Sequence, residues 1–115
     1  MKEEFLHYLW RFRLFHFPLF STKNESIEIL NTGIYNTDAG PDFVQAKVKI
    51  GETIWAGNIE LHIQASDWNN HRHQIDKAYN STILHVVYVC DIAIRLENGE
   101  EIPCLELRGK FRQEL

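Results

Sequence analysis

Two neighbouring segments with strand periodicity, joined at Gly51-Glu52, constrain the fold more than any other feature of this sequence. Apolar and polar residues alternate from Phe43 to Ile50. Successive strand residues point to opposite faces, so one face should carry Val44, Ala46, Val48 and Ile50. The segment 53–63 is a second strand, with Gly57 as a candidate bulge. The pattern therefore predicts an antiparallel β-hairpin with a tight turn at Gly51-Glu52.

Helical and strand patterns surround this hairpin. Apolar spacing of three and four predicts an amphipathic helix over 2–15, and an N-cap at Ser66-Asp67 predicts a second helix over 68–79. Segments 26–35 and 82–89 are predicted strands, and Asn98-Gly99 predicts the tip of a C-terminal hairpin between 92–96 and 102–107. The predicted fold class is α+β (α/β-like). It is an αβββαβ core with a mixed sheet flanked by two helices, plus the C-terminal β-hairpin.

Composition excludes several classes of protein. The 115 residues predict one domain, 1–115. A net charge of −4 argues against a domain that coats nucleic acid by charge alone. The longest apolar run, near Ile83 to Cys90, is too short for a membrane span. Two cysteines, Cys90 and Cys104, are too few for a disulfide framework, so we expect a cytoplasmic protein with buried thiols.

Polar residues that could carry chemistry gather at one end of the predicted hairpin. Counting back from the Gly51-Glu52 turn brings Asp42 opposite about Leu61, within one residue of both Glu60 and His62. Two carboxylates and an imidazole at a strand end suit a divalent cation. The alternative interpretation is that Asp42 caps a turn and Glu60 is a solvated strand residue.

A second group of polar residues follows the hairpin. His71 and His73 would point in different directions on a continuous helix, so only the tertiary fold could bring them together. No HExxH or zinc-finger spacing is present, which makes zinc the less favoured metal. His85, inside an apolar strand, is most readily explained as a hydrogen-bonded core residue. The secondary polar cluster comprises Gln64, Asp67, His71, His73, Lys77 and His85.

Pro41-Asp42 and Glu60-Leu61-His62, within this element order, resemble the PD-(D/E)XK nuclease superfamily. The resemblance implies a divalent-metal-dependent phosphodiesterase that acts on nucleic acid, with Asp42, Glu60 and His62 as catalytic residues. Asp42 and Glu60 would bind Mg²⁺ or Mn²⁺. His62 stands where the superfamily has lysine, and a neutral imidazole can orient water but supplies no fixed charge. Lys47 or Lys77 could supply the displaced cation.

A longer resemblance covers most of the chain. The runs GPDFVQAKVKI and WAGNIELHIQASDWNNHRHQIDKAYNSTILHVVY resemble the N-terminal part of a bacterial family known only as a domain of unknown function. Members of that family are usually longer than this chain. The resemblance therefore implies a fragment of a longer chain or a short member, and it implies no activity.

The aromatic N-terminal segment, from Phe5 to Phe20, supports a different function. It either packs on the sheet or forms a surface for a partner. In the second case the protein is a non-catalytic interaction or nucleic-acid-binding module of the same fold. Its partner would be a second copy of the chain, or a missing C-terminal domain, docked on the aromatic helix.

Overall fold

The computed structural model describes residues 1–112. It is a mixed α+β fold whose core is mostly sheet, as the sequence predicts at the level of fold class. Its elements in chain order are α1 (Glu3–Phe12), β1 (Leu19–Phe20), β2 (Ser26–Asn31), β3 (Ile34–Tyr35), β4 (Phe43–Ile50), β5 (Thr53–Gln64), α2 (Asp67–Asn70), two 3₁₀ turns (His73–Ile75 and Lys77–Tyr79), β6 (Thr82–Val89) and β7 (Cys104–Glu106).

One sheet contains all seven strands of residues 1–112. Its order is β1-β2-β4-β5-β6-β7, and the short β3 pairs with the other end of β4. The β4–β5 hairpin is antiparallel with Ile50 opposite Thr53, which confirms the predicted turn. Strands β5 and β6 are parallel, as are β6 and β7. β5 is therefore a central strand with a neighbour on each side.

Strand β5 separates two environments because its side chains alternate. Ile59 and Leu61 are fully buried on one face, which we call the helix side, against Leu6, Leu9 and Trp10 of α1. Glu60 and His62 point to the opposite face, the histidine side, which the segment Asp67–Tyr79 covers. The two sides of β5 thus combine an apolar core with a buried polar site.

The β4 strand contains a bulge that the sequence does not reveal. The pairing register between β4 and β5 changes between Phe43 and Ala46, where Gln45 adopts a φ of 58°. Phe43 therefore replaces Val44 on the buried face, which corrects the predicted alternation. The predicted bulge at Gly57 is wrong. Gly57 instead lets β6 approach, because a Cβ there would lie 2.6 Å from the Ser81 carbonyl oxygen.

The predicted second helix over 68–79 is wrong. A four-residue helix ends near His71, Arg72 adopts a left-handed φ of 59°, and two 3₁₀ turns follow. Asp76 is extended and its carboxylate accepts a hydrogen bond from the Ala78 N–H at 2.9 Å. This local side-chain bond competes with helical pairing, so the chain forms turns instead.

The predicted C-terminal hairpin forms only around its Asn98-Gly99 tip. Among the described residues, Arg95 and Glu101 form an isolated antiparallel bridge, and backbone hydrogen bonds on both sides of that bridge join the two arms. The second arm instead forms β7 parallel to β6, with Val86 opposite Leu105. Leu105 is fully buried in the same apolar core as Leu6 of α1, and burial of that side chain favours pairing with β6.

Candidate functional site

The mouth of the β4–β5 hairpin holds two carboxyl groups against each other. The Asp42 N–H donates to Glu60 Oε1 at 3.0 Å, and the Leu61 N–H donates to Asp42 Oδ2 at 2.9 Å. The bulge in β4 shifts Asp42 by one position, so these bonds link it to Glu60 and Leu61. The structure therefore brings the predicted Asp42 and Glu60 together.

The two carboxyl groups have opposite pKa shifts. Burial, reinforced by the neighbouring Asp42, raises the pKa of Glu60 to about 10. Burial alone would raise the pKa of Asp42, but hydrogen bonds from His7, Glu60 and the Leu61 backbone hold it below its usual value. Glu60 is thus protonated and Asp42 ionised near neutral pH, a division typical of paired acid and base groups.

A group of donors from α1 adjoins Asp42 and was missed by the sequence analysis. His7 Nε2 lies 3.4 Å from Asp42 Oδ2 and 3.7 Å from Glu3 Oε1. Burial alone would lower the pKa of His7, whereas Asp42, Glu3 and the Tyr35 hydroxyl raise it to about 11. The spacing of Glu3 and His7, four residues apart on a helix, was the available sequence signal. Ligand atoms of Glu3, His7 and Asp42 lie within 4.8 Å of one another.

A cluster of imidazoles occupies the histidine side. Ligand nitrogens of His62, His71 and His73 lie within 4.8 Å of one another. Glu60 Oε2 is 2.8 Å from His73 Nε2 and 3.5 Å from His62 Nε2. His62 Nδ1 is 2.7 Å from His85 Nε2. The predicted site residue His62 therefore joins Glu60 to three histidines of the secondary cluster.

The buried imidazoles of this cluster are neutral at ordinary pH. Burial, then the neighbouring imidazoles, lowers the pKa of His62 to about 2. Burial and His73 lower the pKa of His85 to about 3. Burial and His71 also lower the pKa of His73. Neutral imidazoles keep a lone pair that a metal ion can use.

Aromatic side chains fix the orientation of the cluster. The Tyr79 ring stacks on His73 with centroids 3.7 Å apart. The Trp68 ring lies edge-on to His73 and to His85, each at 5.3 Å. Trp68 is fully buried, so we attribute to it both the packing of segment 67–79 and the position of the imidazoles.

Three members of the predicted secondary cluster lie apart from the imidazoles. Gln64 is exposed, and its N–H donates to Asp67 Oδ2 at 3.1 Å, so Asp67 shapes the turn after β5. Lys77 is exposed on the second 3₁₀ turn, and Lys47 is exposed on β4. Among residues 1–112, neither lysine contributes a described contact to the carboxyl pair.

Fold and site together define a mixed α+β domain with a cluster of three histidines beside Glu60 whose nitrogens could hold a metal ion. A family profile described as "Protein of unknown function (DUF2851)" matches residues 3–115, so the chain belongs to that family. This confirms the resemblance to a family of unknown function. No curated protein and no solved structure matches the chain, and the PD-(D/E)XK resemblance is not confirmed.

Helix length bears on the predicted absence of a membrane span. Within residues 1–112, none of the helices has the length and apolar character needed to cross a membrane.

Proposed function

We propose that this domain is a divalent-metal-dependent phosphodiesterase whose reactive groups lie at the β4–β5 mouth. The observation that carries the proposal is the juxtaposition of Asp42 and Glu60, each bonded to the backbone of the other strand. Paired carboxyl groups beside imidazoles serve acid–base and metal chemistry in many hydrolases. The resemblance to PD-(D/E)XK nucleases supplies the substrate class, with nucleic acid as the expected partner. The resemblance also implies an αβββαβ order of elements. Where that order has its second helix, this chain has the short α2 followed by two 3₁₀ turns.

The donors around Asp42 fit a divalent cation of the predicted type. Glu3, His7 and Asp42 offer two carboxylates and one imidazole within 4.8 Å, and His7, whose pKa is raised to about 11, would release a proton on binding Mn²⁺. Glu60, the other predicted metal ligand, lies next to Asp42. When bound, such an ion would polarise a phosphoryl oxygen and acidify a water molecule.

The residues at the mouth have separate roles in the proposed hydrolysis. The Asp42 carboxylate accepts a hydrogen bond from the Leu61 N–H, so its orientation is fixed. While it does not bind the cation, Glu60 is protonated and can donate a proton to a leaving oxygen. His62 is buried and neutral, so we assign it the orientation of water rather than the charge that lysine supplies in the superfamily.

The test is hydrolysis by the purified chain in Mn²⁺ or Mg²⁺. Substrates would be bis(p-nitrophenyl) phosphate, single- and double-stranded DNA, and RNA. D42N and E60Q preserve side-chain shape and should each lower the rate at least about 100-fold, within the range of general acid–base catalysis. E52Q, on the exposed hairpin turn, is the matched control and should keep full activity. A wild-type rate equal to that of either site variant would refute the proposal.

Calorimetric titration with Mn²⁺ tests the cation separately. Wild type should bind, and the D42A/E60A double variant should not. Equal binding by the two proteins would place the cation elsewhere and remove Asp42 and Glu60 from the proposed metal set.

A non-catalytic interaction module remains the second candidate, because aromatic side chains are exposed near the N-terminus. Exposed fractions are 50% for Tyr8, 55% for Phe12, 58% for Phe17 and 44% for Phe20. Solvent-exposed aromatic groups of this kind are typical of interaction surfaces. Self-association, or docking of a further domain, would cover them. Sedimentation over a wide concentration range tests this, and a strict monomer would argue against self-association.

A further inference from the structure

We infer that His62, His71 and His73, together with Glu60, form a binding site for a transition-metal ion of the zinc class. This site uses different imidazoles from the Glu3–His7–Asp42 group. It shares Glu60 and His62 with the proposed phosphodiesterase, whereas His71 and His73 belong to this site alone. Metal binding here requires no hydrolytic activity, so the inference goes beyond the proposed function.

Donor spacing is the first argument. In a tetrahedral zinc site with bonds of about 2.0–2.1 Å, neighbouring donor atoms lie about 3.4 Å apart. Glu60 Oε2 already lies 2.8 Å from His73 Nε2 and 3.5 Å from His62 Nε2. The three imidazoles have ligand atoms within 4.8 Å of one another. Side-chain movements of about 1 Å would therefore complete a four-donor set.

An unpartnered nitrogen is the second argument. His73 is 8% exposed, and its Nε2 makes no hydrogen bond to any residue in the described range 1–112. The 2.8 Å contact with Glu60 Oε2 lacks the alignment of a hydrogen bond. A buried polar atom without a partner is destabilising, and a metal ion at this position would satisfy it.

The backbone supplies the third argument. Residues 71 and 73 would diverge on a continuous helix, yet their rings lie 5.5 Å apart. The left-handed conformation of Arg72, φ 59°, makes that convergence possible. This conformation is uncommon for a residue with a side chain, and such strain is concentrated at functional sites.

His85 has the geometry of a positioning residue for His62. Its Nε2 lies 2.7 Å from His62 Nδ1, which leaves His62 Nε2 facing Glu60. Metal-binding histidines commonly use their second nitrogen in this way, and loss of the outer partner weakens affinity about 10–100-fold. His85 therefore orients a ligand without contacting the metal.

The donor set also selects the metal. Three imidazoles and the Glu60 carboxylate, which forms when the bound metal displaces its proton, suit Zn²⁺, Co²⁺ or Ni²⁺, whereas Mg²⁺ prefers oxygen ligands throughout. The site includes exposed His71, so an ion has a route in from solvent.

The experiment is calorimetric titration of the EDTA-treated chain with Zn²⁺, and visible absorption after Co²⁺ addition. Wild type should bind one ion and show the d–d bands of a low-symmetry cobalt site. H71A removes an exposed side chain, so it should fold normally and bind Zn²⁺ at least about 100-fold more weakly. H16A, another exposed histidine, is the matched control and should bind as wild type.

Further variants distinguish the roles of the residues. H85Q should weaken Zn²⁺ binding about 10–100-fold while the cobalt spectrum keeps its shape, because the ligand set is intact. H71A should change that spectrum. Absence of Zn²⁺ binding by wild type, or equal binding by wild type and H71A, would overturn the inference. Zinc binding lost in H71A without any hydrolysis would sustain this site and reject the phosphodiesterase. Hydrolysis that depends on Asp42, with Zn²⁺ binding unchanged in H71A, would do the reverse.

Discussion

The two sides of the sheet bury different kinds of side chain. On the helix side, Leu6, Leu9 and Trp10 are fully buried on apolar strand residues, and the Trp10 indole N–H donates to the Thr32 carbonyl at 2.9 Å. On the histidine side, His62 and His85 are as deeply buried, yet polar atoms there lack partners in the described structure. The difference teaches that the larger apolar core lies on the helix side. The histidine side combines a smaller apolar cluster around Trp68 with unmet polar groups that a ligand could satisfy.

Truncation of the helix-side core should have the largest effect. Leu9→Ala removes a fully buried side chain and should lower the free energy of unfolding by about 3 kcal/mol, measured by urea denaturation. Zinc affinity of the folded variant should match that of wild type. A loss of both stability and zinc affinity would show that the two sides are one cooperative unit. That result would contradict the separate roles assigned to them here.

Zinc should stabilise the protein through the histidine side. At a free concentration 100 times the Kd, bound Zn²⁺ should add about 2.7 kcal/mol to the free energy of unfolding, which corresponds to a rise in Tm of roughly 10 °C. Calorimetric melting should show this rise in wild type and in Leu9→Ala, but not in H71A. A rise of equal size in H71A would assign the stabilising ion to another site.

Acid should destabilise the metal-free protein through its buried imidazoles. The pKa of His85 is lowered to about 3, so between pH 6.5 and 3 the unfolded chain binds a proton that the folded chain does not. The free energy of unfolding is therefore highest above pH 6.5 and falls by up to about 1.4 kcal/mol per pH unit for this group as the pH decreases. In urea denaturation at pH 5.5 and 4.5 with EDTA, H85Q should show a correspondingly smaller slope. Identical slopes would mean that His85 is protonated in the folded state.

The smallest expected effect is the difference in unfolding free energy between two tryptophan variants, one from each side of the sheet. W10F loses the hydrogen bond to Thr32, whereas W68F removes an indole N–H that makes no hydrogen bond within residues 1–112. Both changes remove the same volume from fully buried positions. W10F should therefore be about 1 kcal/mol more destabilising than W68F in urea denaturation. A larger loss in W68F would reveal a partner for its indole nitrogen.

Local patterns predicted the parts of the fold that depend on neighbouring residues. The alternation in β4 and the turn at Gly51-Glu52 set the hairpin register near its tip, and counting along it brought Asp42 close to Glu60. The count was wrong by one residue beyond the bulge, because glutamine at position 45 gives no local signal of a positive φ. Whether Asp42, Glu60 and His62 are catalytic stays a prediction.

Long-range pairing explains what local patterns missed. β7 pairs with β6, and this pairing buries Leu105 in the main apolar core, which the Asn98-Gly99 turn signal cannot indicate. The convergence of His71 and His73 depends on Arg72, which has no sequence signature for its left-handed conformation. His7 approaches Asp42 only after α1 has packed on the sheet.

The length of β5 has a practical consequence for handling the protein. Glu52 at the hairpin turn is exposed, and Glu60 lies eight residue steps further along the extended chain, or about 26 Å. A fluorophore or a surface tether attached at position 52 would therefore stand well clear of the imidazoles. Protein immobilised in this way would present the proposed metal-binding cluster to solution, which suits surface-based screening of ions and phosphodiesters.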